Sequence, residues 1–207
     1  MTLILYLCIA LPILMLAFLI PSGKPRLLIL YMAVGMTVFL LVGPINGYLL
    51  MLLDGDMRYV TTNITPITEE LLKAACVLYY AATFSDDRST LESIGMAEGI
   101  GFAIIENMYI FTDHDQAYSL TWAVARVIGA TLMHATCTAT VGLGMSFINK
   151  RRKMFVSGTF SLLVFAILFH GIFNTFVGST FHVIAFLLPV LLYMGMVILH
   201  LRASRRA

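Results

Sequence analysis

Five ionisable side chains of this 207-residue chain lie inside apolar stretches, where an unpaired charge is costly. They are three glutamates and two histidines: Glu69, Glu70, Glu106, His134 and His170. Glu106 is the clearest case, because it lies in the centre of the stretch GIGFAIIENMYIF at 99–111. A glutamate in that setting must be neutral, paired or bound to a metal ion.

Two imidazoles and one carboxylate form a common catalytic zinc set, in which water takes the fourth position. We expect His134, His170 and Glu106 to bind Zn²⁺, because a bound cation stabilises the charged form of a buried carboxylate. Glu69 or Glu70 could then act as the general base on the catalytic water. The HExxH pattern of helix-borne zinc proteases is absent, so this ligand set rests on residue type and position.

Three further polar residues could join this chemistry. Asn174, one helical turn after His170, could bind the metal, the water, or the oxyanion that develops on a scissile carbonyl. Arg126 could orient the ligands or bind the backbone of a substrate. Lys73 follows Glu69 by four residues, so the two would share a helix face and could pair.

The composition indicates that membrane-spanning helices must position these residues. The chain is 60% hydrophobic and 12% charged, with a mean hydropathy of +0.93, whereas soluble domains average about 25% charged residues. A bilayer crossing takes about 20 apolar residues, and seven stretches approach or exceed that length. They are residues 2–20, 27–53, 66–84, 92–112, 119–149, 154–177 and 181–201. We predict an all-α, polytopic membrane bundle of about seven helices that forms a single domain over residues 1–207.

The basic residues predict its orientation, because positive charge accumulates in cytosolic loops. Ten of the 13 Lys and Arg residues fall in alternate loops and in the tail: Lys24, Arg26, Arg88, Lys150, Arg151, Arg152, Lys153, Arg202, Arg205 and Arg206. The opposite loops carry Arg58 beside Asp54, Asp56, Asp113 and Asp115. We therefore expect the N-terminus outside and the C-terminus in the cytosol.

On this topology the five ionisable residues reach a similar depth. Glu69 and Glu70 lie in the first turns of a descending span, and Glu106 lies about six residues below the outer end of an ascending one. His170 falls in the outer third of the span at 154–177, and His134 does so in the span at 119–149 if the excess length of that long span projects outside. At about 1.5 Å per residue, all five lie within roughly 10 Å of one level. They would form a polar chamber that opens to the outer side.

Each residue alone also has a purely structural explanation. Glu69 and Glu70 suit the positive end of a helix dipole, and Lys73 could extend outward to the interface. Glu106 could be a protonated residue bonded to a neighbouring helix, and His134 could form a helix–helix hydrogen bond. The functional prediction depends on all of them sharing one level.

The chain resembles the PrsW family of intramembrane metalloproteases in four motifs. They are EELLK at 69–73, GIGFAIIEN at 99–107, RVIGATLMHA at 126–135 and HGIFNT at 170–175. The family is distantly similar to the CAAX-processing and bacteriocin-immunity membrane peptidases, which carry EExxxR, FxxxH and HxxxN-type motifs. Here Phe102-x-x-x-Glu106 replaces FxxxH, and Lys73 comes one residue before the position of the arginine. The motif-bearing core covers about 65–177.

The resemblance implies proteolysis within or near the membrane, with essential glutamates and histidines. The implied partner is a transmembrane protein substrate, such as an anti-sigma factor, in a prokaryotic plasma membrane. By likeness to the CAAX-type motif, Glu69 is the better candidate for the base, with Glu70 as an alternative base or a supporting residue. We expect the lipid bilayer as a further partner and no nucleic acid.

Two other functions fit the same residues. A metal-independent, glutamate-type peptidase like the CAAX enzymes would act at the cytosolic face, whereas the predicted chamber opens outside. An ion or metal transporter would also bury such groups, but it should offer them along the full depth of the membrane. The inner halves of the spans at 92–112, 119–149 and 154–177 are poor in charge beyond Glu98.

Overall fold

A computed structural model describes residues 4, 8–9, 11–12, 25–53, 55–113 and 119–204, and within them the long elements are all α-helices. These helices are α1 (Pro25–Leu52), α2 (Thr65–Thr83), α3 (Arg88–Asp113), α4 (Leu120–Met145), α5 (Arg152–Val177) and α6 (His182–Ser204). A short helical turn, Met57–Tyr59, and a π-helical turn, Val60–Ile64, lead directly into α2. The described part of the chain contains no strand, so the all-α prediction is confirmed there.

Within the described residues, four helices are long and apolar enough to cross a membrane, so the chain is a multi-pass membrane protein. They are Pro25–Leu52, Arg88–Thr112, Leu120–Met145 and Arg152–Val177, while α6 contains a shorter apolar stretch, His182–Ile198. The helix α2 has 19 residues, but three of them are charged: Glu69, Glu70 and Lys73. The predicted span 2–20 lies largely outside the described residues. The count of seven spans therefore stays a prediction.

The helices begin at residues that suit the free backbone N–H groups of a first turn: a side chain accepts a hydrogen bond from one of them, or a proline lacks one. Pro66 lies in the first turn of α2, where its missing N–H costs no helical hydrogen bond. Asp87 accepts hydrogen bonds from the backbone N–H and the hydroxyl of Thr90, both at 2.8 Å, and so caps α3. Ser119 caps α4 by accepting from the N–H of Trp122 at 3.2 Å. These caps fix where the site-bearing helices start.

The central helix of the bundle is α4. In the most apolar 18-residue stretch of α4, 89% of the residues are buried. The corresponding stretches of α1 and α5 are 22% and 17% buried. Much of α4 consists of Ala, Gly and Thr, which allow neighbouring helices to approach closely. The helices α1 and α5 instead expose large apolar side chains such as Leu40 and Phe160, as lipid-facing helices do. His134 therefore lies on the most enclosed helix.

Glycines let the backbone of α3 touch two neighbouring helices. A Cβ built on Gly95 would lie 2.8 Å from the carbonyl oxygen of Thr138, and one on Gly99 would overlap the carbonyl of His134. On the other face, a Cβ on Gly101 would overlap the carbonyl of Met32 in α1. The contact at Gly99 fixes the separation of α3 and α4 beside His134, two turns from Glu106.

We expect Gly99→Ala to destabilise the protein by about 1–3 kcal/mol, the usual range for overpacking. The added methyl would meet the backbone of His134 and Ala135, which cannot turn aside as a flexible side chain can. Thermal unfolding of the purified protein in detergent measures this loss. Gly158→Ala is the matched control, because nothing lies within 4 Å of its Cβ position. An equal effect of the two substitutions would contradict this account of the packing.

Candidate active site

The structure brings the five ionisable residues together between α2, α3, α4 and α5. Two histidine rings, those of His134 and His170, lie edge to face with their centroids 4.8 Å apart. Glu69, Glu70 and both histidines are buried. The side chain of Glu106 is 13% exposed and is the most open acid of the cluster. Four helices therefore place acids and imidazoles in one enclosed group.

His170 lies between two glutamates of α2. Its Nδ1 is 3.0 Å from Oε1 of Glu70, and its Nε2 is 3.7 Å from Oε2 of Glu69. Because a carboxylate only accepts, a neutral His170 carries its proton on Nδ1 and donates it to Glu70. Nε2 then presents a lone pair, and neither it nor Oε2 of Glu69 has a hydrogen-bond partner. Metal-binding histidines are commonly held by a carboxylate in this way.

Both ring nitrogens of His134 are already in contact with other groups. Nδ1 is 2.9 Å from Nζ of Lys73, and Nε2 is 3.1 Å from Oε2 of Glu106. A charged lysine has only donors, so Nδ1 accepts and the remaining ring proton on Nε2 points to Glu106. His134 can bind a metal ion only if one of these two contacts is released.

Lys73 is fully buried and compensates several groups of the cluster. Its Nζ is 2.6 Å from Oε1 of Glu70 and 4.7 Å above the ring of Phe102. The same phenyl ring is 4.8 Å from the ring of His134. Lys73 therefore pairs with Glu70, three residues earlier, and not with Glu69 as the sequence suggested. Its burial also excludes the alternative in which it extends to the interface.

Arg126 holds Glu106 from the side opposite His134. Its Nη2 lies 3.5 Å from Oε1 of Glu106, and its guanidinium carbon lies 6.0 Å from the ring of Phe173. The Nε of Arg126 is buried without a hydrogen-bond partner. Arg126 therefore orients Glu106, and through it His134, and retains one free donor.

Asn174 turns away from the imidazoles. Its Nδ2 donates to the backbone carbonyl of Thr61 at 3.0 Å, in the π-helical turn before α2. It lies one turn above His170 on α5, at the level of this turn and not of the glutamates. As placed, Asn174 ties α5 to the start of α2, which differs from the metal, water or oxyanion contacts expected from sequence.

Among the described residues, Glu69, His134 and His170 form a group that could hold a metal ion, because one ligand-type atom of each lies within 4.8 Å of the others. It differs from the set expected from sequence by one carboxylate, because Glu69 takes the place of Glu106. Carboxylate oxygen and imidazole nitrogen are donors that zinc prefers. The buried, unpartnered Nε2 of His170 and Oε2 of Glu69 fit such an ion.

Sequence reasoning assigned no role to several residues that shape the site. Phe102 supports both Lys73 and His134, and the buried side chain of Asn107 has no hydrogen-bond partner. Asn46 of α1 bonds to the first turn of α2. The available signal for Asn46 was an amide between Gly43-Pro44 and Gly47 in an apolar span. For Phe102 the signal was its place in the Phe102-x-x-x-Glu106 motif, although the motif did not indicate the contacts with Lys73 and His134.

Comparison with known proteins gives one result. A family model described as PrsW family intramembrane metalloprotease matches residues 23–201. The matched range contains α1 to α5, most of α6 and every residue of the cluster. No curated protein and no solved structure matches the chain.

We expect Lys73→Met to cost about 3–5 kcal/mol of unfolding free energy, the usual loss when one partner of a buried ion pair is removed. The change leaves Glu70 without its cation and His134 without its donor. Denaturant unfolding in detergent measures this loss of unfolding free energy. Lys150→Met is the control, because the partly exposed pair of Lys150 with Asp86 should contribute about 0–1 kcal/mol. Similar losses for both variants would show that Lys73 does not stabilise the cluster.

Proposed function

The chain belongs to the PrsW family of intramembrane metalloproteases, and from this we propose that it is a zinc-dependent endopeptidase that cleaves a membrane protein. One observation carries the proposal: Glu69, His134 and His170, from three helices, bring ligand atoms within 4.8 Å of one another in a buried site. The unpartnered atoms of His170 and Glu69 support a cation at that point.

In this proposal Glu69, His134 and His170 would hold the ion, with His134 released from its contact with Lys73 or with Glu106. Zinc in such a site polarises a carbonyl group and activates water for attack. Glu70 keeps the His170 ring in the orientation that presents Nε2, through the 3.0 Å contact to Nδ1. Lys73 balances the charge of Glu70. The roles expected from sequence for Glu69 and Glu106 are thereby exchanged.

Glu106 is the proposed general base. It is the most open carboxylate of the cluster, and the guanidinium of Arg126 lies 3.5 Å from its Oε1. It would take a proton from the water that attacks the carbonyl carbon, and return it to the amine nitrogen as the C–N bond breaks. The free Nε of Arg126 could donate to the substrate carbonyl oxygen or to its backbone.

The proposed substrate is an extended or unwound segment of a transmembrane protein, such as an anti-sigma factor. A helical segment hides its carbonyl carbons from attack, so the cleaved stretch must be extended. Because four helices enclose the cluster, only such a narrow, extended segment could reach it.

We expect Glu106→Gln to abolish cleavage while zinc stays bound, and His170→Ala to abolish both. The first variant loses the proton acceptor, and the second loses a ligand. Purified proteins are reconstituted in liposomes with membrane proteins of the source cell, and new N-termini are identified by mass spectrometry. Zinc content is measured by elemental analysis of the same samples.

Glu69→Gln separates the two possible carboxylate assignments. If Glu69→Gln loses zinc and Glu106→Gln retains it, Glu69 is the ligand. If Glu106→Gln loses zinc and Glu69→Gln retains it, Glu106 is the ligand, as expected from sequence. Val164→Ala, at a partly exposed position of α5, is the control that should behave as the wild type. Cleavage that survives removal of zinc by a chelator would favour the glutamate-type peptidase. Ion flux without cleavage would favour a transporter.

We further infer seven spans, an external N-terminus and an external opening of the site. Alkaline phosphatase, which is active only outside the cytosol, should be active when fused after Gly55 and inactive when fused after Lys150. The charge distribution of the loops is the physical reason. The opposite pattern would place the cluster near the cytosolic face and contradict this topology.

A further inference from the structure

Asn46 joins α1 to the first turn of α2 through both ends of its amide. Its Nδ2 donates to Oγ1 of Thr65 at 3.1 Å, and its Oδ1 accepts from Oγ1 of Thr68 at 2.8 Å. Thr68 immediately precedes Glu69 and Glu70, and Thr65 lies about one helical turn before Glu69. One side chain of α1 therefore constrains the rotation of α2 about its axis, at the turn that precedes the two glutamates.

The backbone of α1 touches that of α3 at Gly35, in the inner half of α1, but meets no neighbouring atom at Gly43 or Gly47, in its outer half. A Cβ on Gly35 would overlap the carbonyl of Glu98, whereas nothing lies within 4 Å of one on Gly43 or Gly47. Pro44 also removes one backbone hydrogen bond from α1. Among the described residues, the hydrogen bonds from this outer half to α2 both come from Asn46.

The start of α2 has an irregular backbone that needs such support. The π-helical turn Val60–Ile64 precedes it, and π-turns are frequent near functional sites. Asn174 of α5 holds the carbonyl of Thr61 from the other side. One residue step around a helix is about 100°, so a small slip of this turn would redirect Glu69 away from His170.

We propose that Asn46 is a positioning residue of the protease site. Its two hydrogen bonds fix the rotation of α2, so that Glu69 faces His170 while Glu70 faces Lys73. Asn46 acts through Thr65 and Thr68 and contacts none of the cluster. This inference rests on the proposed function, because its kinetic effect requires proteolysis.

The test compares Asn46→Leu and Thr68→Val with Thr68→Ser on the substrate found by N-terminal identification. The first two variants remove hydrogen bonds while nearly keeping volume, and we expect kcat to fall about 10- to 100-fold with KM unchanged. Thr68→Ser keeps the hydroxyl and should stay close to the wild type. The double variant Asn46→Leu/Thr68→Val should retain more activity than the product of the two single effects, because the two changes break a shared contact.

Amide hydrogen exchange supplies a readout that does not depend on activity. In Asn46→Leu we expect faster exchange over residues 60–72, with exchange over residues 130–140 of α4 unchanged. Normal kcat and unchanged exchange in Asn46→Leu would overturn the inference. A raised KM with normal kcat would also overturn it, because Asn46 would then bind substrate. If Glu106→Gln and His170→Ala stay active, the proposed function fails, and the exchange result alone decides whether Asn46 holds α2.

Discussion

One buried ammonium group, that of Lys73, makes the polar interior of this membrane protein possible. Charges in a low-dielectric interior persist only when they are paired and hydrogen-bonded. Lys73 contacts Glu70 at 2.6 Å and His134 at 2.9 Å, and its charge lies over the ring of Phe102. Through these contacts it joins α2, α3 and α4. The same residue, with Glu69 and Glu70, makes α2 more polar than the four helices that are long and apolar enough to cross a membrane.

The polar cluster also requires close contact between the helices, because its acid and imidazole side chains must reach one another from different helices. The glycines of α3 bring its backbone against α4 on one face and against α1 on the other. This separation lets Glu106 reach Nε2 of His134 at 3.1 Å. The small residues of the central helix α4 therefore serve the site and not only the packing.

Three glutamates on two helices have three environments, and their proposed roles follow from these. Glu70 is held by a lysine and orients His170, while Glu106 is held by Arg126 and His134 at the most open point of the cluster. Glu69 presents a buried oxygen without a hydrogen-bond partner, next to the unpartnered nitrogen of His170. The proposed supporting acid, base and ligand thus differ in their neighbours, although all three are the same residue type.

The sequence alone determined that the chain is a helical membrane protein, and it predicted that Glu69, Glu70, Glu106, His134 and His170 come together at one level. Apolar length and rise per residue are local properties, so depth can be computed without knowing how the helices pack. The tertiary structure decided which groups touch. Lys73 pairs with Glu70, Glu69 joins the two histidines, and the amides of Asn174 and Asn46 hold the start of α2. These contacts depend on the rotation of each helix about its axis, which is set by glycine contacts and hydrogen bonds between segments far apart in the chain.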